Sequence, residues 1–216
     1  CISIYDYWTD EWNYAKSQGW LLKNINGNYV TGSPSDCYMV DITNSSYQRW
    51  LGAKVKSWLD QHPGFDGVFA DNSLKTGAQE FDLCGTTRPI NPRTGTYFTD
   101  TEVLDGCAGM LNAIIDAIGT SKLVMPNGIW NGVAWSSQGG NYRYVLSKVP
   151  RLNCLFSEGT FRAHDNQWYS ESDWKKSIDF VAWVQENFLC GHPKRFFASS
   201  CPIQSFPTDA TSDQVI

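Results

Sequence analysis

Four polar residues close four apolar runs. Asp41 follows "CYMV", Asp71 follows "GVFA", Asn127 follows "LVMP" and Glu158 follows "CLFS". A carboxylate at the end of a buried strand is costly to desolvate, so it has partners to satisfy it or chemistry to perform. Two carboxyls held in different protonation states can attack an electrophilic carbon and protonate a leaving oxygen. Asp41, Asp71 and Glu158 are also the oxygen ligands a hard cation such as calcium takes, and a structural hydrogen-bond network would use the same residues with no chemistry at all. Asn72 stands beside Asp71 as a candidate hydrogen-bond donor. Tyr5, Trp8, Trp130 and Trp135 fall at run ends or in connecting segments, where rigid aromatic faces suit flat, hydroxyl-rich ligands. Asp6, Asp41, Asn127 and Arg162 can hydrogen-bond hydroxyl groups.

The elements that must position these residues alternate. "CISIYDYW" and "CYMVDIT" (37–43) read as strands, followed by a helix with Tyr47, Trp50, Leu51, Val55, Trp58 and Leu59 on one face. "GFDGVFADN" is the next strand, and a polar loop runs from Ser73 to about Asp100. A second helix carries Val103, Leu104, Cys107, Leu111, Ile114, Ile115 and Ile118, and Gly119 ends it. Then come a strand at 122–127, a short helix at 141–149, a strand at 154–159, a helix at 173–189 and a last strand at 194–200. Continuous apolar strands separated by helices predict a parallel sheet covered by helices, either a doubly wound sheet or an eight-fold barrel. No G-x-G-x-x-G or G-x-x-x-x-G-K-[ST] occurs, which removes support from the nucleotide-binding versions. In a barrel the carboxyl ends of the strands converge on one rim, where Asp41, Asp71, Asn127 and Glu158 would meet.

Composition narrows the partners. The 216 residues suffice for about one domain, expected to span 1–216, and the net charge of -5 with no basic run argues against nucleic acid. No apolar stretch is long enough to span a membrane. The seven cysteines form no C-x-x-C, and His62, His164 and His192 have no ligand spacing, so no metal or other cofactor is expected. Cysteines in this number fit at least one disulfide in a secreted or cell-surface protein, as does the glycosylation sequon at Asn44.

"GWLLKNINGNYV", "DITNSSYQRWLGAKVKSWL" and "GFDGVFADN" together resemble the hypothetical glycosyl hydrolases with a TIM-barrel catalytic domain. Those are similar to the endo-α-1,4-polygalactosaminidases and, more distantly, to the α-glycosidase barrels. The resemblance implies a glycosidase cleaving α-linked oligo- or polysaccharide with retention, with Asp71 ending the fourth strand as nucleophile and Glu158 ending the sixth as general acid/base. A catalytically inactive carbohydrate-binding barrel and a metal-binding hydrolase are the alternatives. A full (β/α)8 barrel needs about 250 residues. The chain is therefore expected to be an incomplete α/β barrel cut from a longer protein, without its first strand and last βα unit.

Overall fold

Each apolar run becomes a short strand, and the amphipathic segments between them become the covering helices. The structure, a computed structural model, describes residues 3–5, 7–32, 37–74, 77–78, 88–129, 131–160 and 169–199. In chain order the elements are β1 (Ser3–Tyr5), α1 (Thr9–Ser17), β2 (Cys37–Met39), α2 (Ser45–Gln61), β3 (Gly67–Ala70), α3 (Asp100–Ile118), β4 (Leu123–Pro126), α4 (Gly132–Lys148), β5 (Cys154–Ser157), α5 (Glu171–Trp183) and β6 (Phe196–Ser199). A π-helical turn over Val184–Leu189 continues α5.

β3 and β4 pair in parallel, with Gly67 opposite Leu123 and Ala70 opposite Pro126. β5 and β6 also pair in parallel, with Cys154 opposite Phe196 and Ser157 opposite Ser199. A parallel bridge from Ile129 to Ser157 joins the end of β4 to β5, and Asn153 Oδ1 accepts from Val124 N at 3.0 Å. Four strands thus run the same way and end together. On their outer side α2 packs on α3, α3 on α4 and α4 on α5. The expected apolar face of α3 forms the centre of the core, with Val103, Leu104, Cys107, Leu111, Ile114 and Ile115 buried. A reciprocal pair of bonds between Thr99 and Glu102 starts that helix, and Gly119 ends it.

Two expectations are corrected. The parallel order fails at the amino-terminal end, where β1 and β2 are antiparallel with Ser3 opposite Met39 and Tyr5 opposite Cys37. The cause lies in their connection. After α1 the chain folds into a hairpin, bridged at Lys23 and Tyr29, that interlocks with β2: Leu22 N bonds Met39 O, Met39 N bonds Val30 O, and Val30 N bonds Leu22 O. Parallel strands need a crossover connection, and a connection that ends in a hairpin paired to β2 does not supply one. Second, the helix expected at 141–149 begins at Gly132, so Trp135 is no rim residue. It is buried against Tyr142 and Trp183, at ring separations of 5.7 and 4.4 Å. Of the glycines that weaken this stretch as a helix, Gly132 serves its packing: a Cβ there would lie 2.2 Å from Ser177 Cα of α5. No disulfide joins two described residues, among which Cys154 and Cys190 are free thiols. Burial pushes the Cys154 thiol up to about 11. Cys1, Cys84 and Cys201 lie outside the described residues.

The sequon asparagine also has structural work. Asn44 Oδ1 accepts from Ser46 N at 2.9 Å, Ser46 Oγ at 2.7 Å and Tyr47 N at 3.4 Å, capping α2. Asn44→Ala is expected to lower stability by about 1 kcal/mol, read as an earlier urea midpoint. Asn44→Asp keeps the cap and should hold the parent midpoint.

Candidate active site

Parallel register between β3 and β4 fixes the first neighbours. Ala70 lies opposite Pro126, so the residues that follow, Asp71 and Asn127, leave the sheet side by side. Asn127 N donates to Ala70 O, and Asn127 O accepts from both Ser73 N and Leu74 N, each at 2.9 Å. Asn72 sits in the left-handed region at φ 51, which an Asn tolerates better than most residues. There its backbone N–H reaches Asp71 Oδ1 at 2.9 Å and its Nδ2 reaches Oδ2 at 3.2 Å.

β5 brings the second carboxyl. Asn127 Nδ2 donates to Asp71 Oδ1 at 2.8 Å and to Glu158 Oε1 at 2.9 Å. Two oxygens at 2.8 and 2.9 Å from one nitrogen lie less than about 6 Å apart. The orientation of that amide follows from its third partner, since Asn127 Oδ1 accepts from Gly128 N at 2.7 Å. Only glycine fits at 128: its φ is 146, and a Cβ there would meet Leu74 O at 1.9 Å. Asn127 is buried, Glu158 half-buried and Asp71 exposed, so a buried amide anchors carboxyls that solvent can reach. Two residues upstream of each stand Phe69, Met125 and Phe156. Side chains alternate along a strand, so these share the sheet face of Asp71, Asn127 and Glu158. The Phe69 and Phe156 rings meet edge to face at 5.2 Å.

Against this geometry, the sequence profile of hypothetical glycosyl hydrolase family 15 matches residues 3–186. The chain belongs to that family. No curated protein matches it. The match to hypothetical glycosyl hydrolase family 15 contains Asp71, Asn72, Asn127 and Glu158 and every described strand except β6. It places the chain among the glycosyl hydrolases, with a carbohydrate as substrate.

The family match does not assign roles, and the remaining sequence-derived residues are distributed as follows. Asp41 belongs to a separate network. It is buried, its Oδ1 accepts from Thr43 N at 3.0 Å and from Thr43 Oγ1, and its Oδ2 accepts from Arg93 Nη1 at 3.1 Å. Arg93 also donates to Thr43 Oγ1. Among the described residues no three His, Cys, Asp or Glu side chains gather as metal ligands. Tyr5 lies in β1 and stacks on Tyr7 at 4.9 Å. Trp8, 43% exposed, lines a groove of about 660 Å³ between α1 and α2 with Trp50 and Trp58, apart from Asp71 and Glu158. Asp6, Trp130 and Arg162 lie outside the described residues. Arg93 is the residue that sequence reasoning missed. It sits in the turn "NPRTG", whose residue types signal a turn and say nothing about what the arginine will reach.

No helix among the described residues is long and apolar enough to cross a membrane.

Proposed function

We propose that the chain hydrolyses O-glycosidic bonds of an α-linked oligo- or polysaccharide by double displacement, with Asp71 as nucleophile and Glu158 as general acid/base. The observation that carries this reading is the single amide nitrogen shared by the two carboxyls. Retaining glycosidases hold their carboxyls about 5–5.5 Å apart, and inverting ones about 6.5–9.5 Å to admit a water between them. Accepting oxygens less than about 6 Å apart on one nitrogen favour the closer arrangement.

In the first step Asp71 attacks the anomeric carbon while Glu158 gives its proton to the departing glycosidic oxygen. The C–O bond to the leaving group breaks as the ester bond to Asp71 forms. In the second, ionised Glu158 takes a proton from water, whose oxygen displaces Asp71 and returns it as carboxylate. Asp71 has the role of nucleophile because it ends a strand two before that of Glu158, the order in the barrels the sequence resembles.

An incomplete (β/α)8 barrel is part of the same proposal. Four parallel strands with the reacting groups at their carboxyl ends support it. So does the sheet face below the site, where Phe69 is 48% and Phe196 53% exposed. A closed barrel would bury such rings in its interior.

The test is release of reducing sugar from a panel of α-linked polysaccharides, followed by proton NMR of the first product. The α-anomer is expected to appear first and to mutarotate later. A β-anomer first would overturn double displacement, and no release from any glycoside would overturn the activity.

A further inference from the structure

Asn127 enters the sequence reading as a residue that touches sugar. Its contacts give it another task. Both Nδ2 hydrogens are directed to carboxylates, Oδ1 of Asp71 at 2.8 Å and Oε1 of Glu158 at 2.9 Å. Its Oδ1 accepts from Gly128 N at 2.7 Å, and its own N–H and carbonyl are bonded to Ala70, Ser73 and Leu74. A side-chain amide has two donor hydrogens, and both are engaged within the protein.

We infer that Asn127 is a positioning residue that gives each oxygen of the carboxyl pair a separate task. The inference rests on the roles proposed above for Asp71 and Glu158. In a carboxylic acid one oxygen carries the proton and the other is the carbonyl acceptor. Oε1 of Glu158 accepts the Asn127 N–H, so the proton it delivers sits on Oε2. On Asp71, Oδ1 accepts two N–H bonds, from Asn127 Nδ2 and from Asn72 N at 2.9 Å. Oδ2 accepts a longer bond, 3.2 Å, from Asn72 Nδ2. Donors withdraw electron density from the oxygen they bind, so Oδ2 keeps the better nucleophilic lone pair and attacks the anomeric carbon. The bond Oδ2–C1 forms, the bond from C1 to the leaving oxygen breaks, and that oxygen takes the proton from Oε2. Oδ1 is then the carbonyl oxygen of the glycosyl ester and still accepts from Asn127. Oε1 of the ionised Glu158 accepts from it as before. One fixed amide therefore serves both steps without moving, which is the preorganisation that lowers a barrier.

The test uses the full chain and a glycoside the parent hydrolyses. Asn127→Ala is expected to lower kcat about 10²-fold, the order of effect that misplacing a reacting group produces, with KM within about threefold of the parent. Asn127→Asp sets an acceptor where the two donors were and should lose more. Asn127→Ser, which keeps one donor, should lie between the parent and Asn127→Ala. A rise in KM of about tenfold with kcat unchanged would make Asn127 a sugar contact and overturn the inference. A second readout needs neither activity nor a variant that folds. In the parent, with carboxyl ¹³C resonances assigned for Asp71 and Glu158, deuterating the Asn127 side-chain amide should shift both. A shift at neither, or at only one, would overturn the shared clamp. Shifts at both in a protein that hydrolyses no glycoside would leave the clamp standing and remove the proposed reaction. Hydrolysis that is indifferent to every Asn127 variant would do the reverse.

Discussion

Asp71→Asn is expected to remove glycoside hydrolysis by on the order of 10⁴-fold or more, as loss of a covalent nucleophile does, while the protein stays folded. An amide cannot form the glycosyl ester, so neither a better leaving group nor more substrate should restore turnover. The structure explains why the fold should tolerate the change. Oδ1 of the new amide still accepts from Asn127 Nδ2 and Asn72 N. The loss is confined to one bond, from Asn72 Nδ2 at 3.2 Å, where a second donor would now face the first. At an exposed position a broken bond of this kind costs about 1 kcal/mol or less, because water replaces it. The measurement is kcat/KM on a natural polymer and on an aryl glycoside, beside a thermal melt. Near-normal turnover on every substrate the parent hydrolyses would reduce Asp71 to a structural carboxylate that binds its own loop.

The site was legible where two periodicities coincide. An apolar run closed by a polar residue marks a strand end, and alternation within the run places Phe69 with Asp71, Met125 with Asn127 and Phe156 with Glu158. Parallel order then brings three such ends together, as it does here through β3, β4 and β5. What pattern could not supply is direction. That Asn127 points its donors at both carboxyls depends on Gly128 holding its oxygen, a contact with no sequence signature. Asp41 has the same signature as Asp71, an apolar run before it and a polar residue beyond. Its distinguishing partner, Arg93, arrives from a turn about fifty residues away along the chain. The tryptophans divide for a similar reason. Trp135 and Trp8 both read as rim aromatics, yet Trp135 is buried in α4 and Trp8 faces the groove between α1 and α2. Aromatic residue type reports large area and a polar edge, which core and surface use alike. The antiparallel pairing of β1 with β2 was hidden because the hairpin between them, residues 20–31, is made of isolated bridges too short to read as strands.

Glu158→Gln should discriminate between substrates, which Asp71→Asn should not. For a polysaccharide the leaving group is a sugar hydroxyl, which departs poorly as an alkoxide. Proton donation to it is worth typically 10²–10⁴-fold, and the glutamine variant should lose about that much on a polymer. An aryl glycoside with an electron-poor ring leaves as a stable phenolate and needs no proton, so its first step should run at close to the parent rate. The second step still needs a base to activate water. The glycosyl ester should therefore accumulate, giving a burst of phenolate, equal in amount to the enzyme, ahead of a slow steady state. The substitution leaves the surroundings in place, because Gln keeps an oxygen to accept from Asn127 Nδ2, the bond of 2.9 Å that orients the carboxyl. A reduction of equal size on polymer and aryl glycoside, with no burst, would show that residue 158 neither donates nor accepts the proton. Glu158 would then be only the second acceptor that fixes Asn127 in its pocket, and the acid would have to come from another side chain on the same rim.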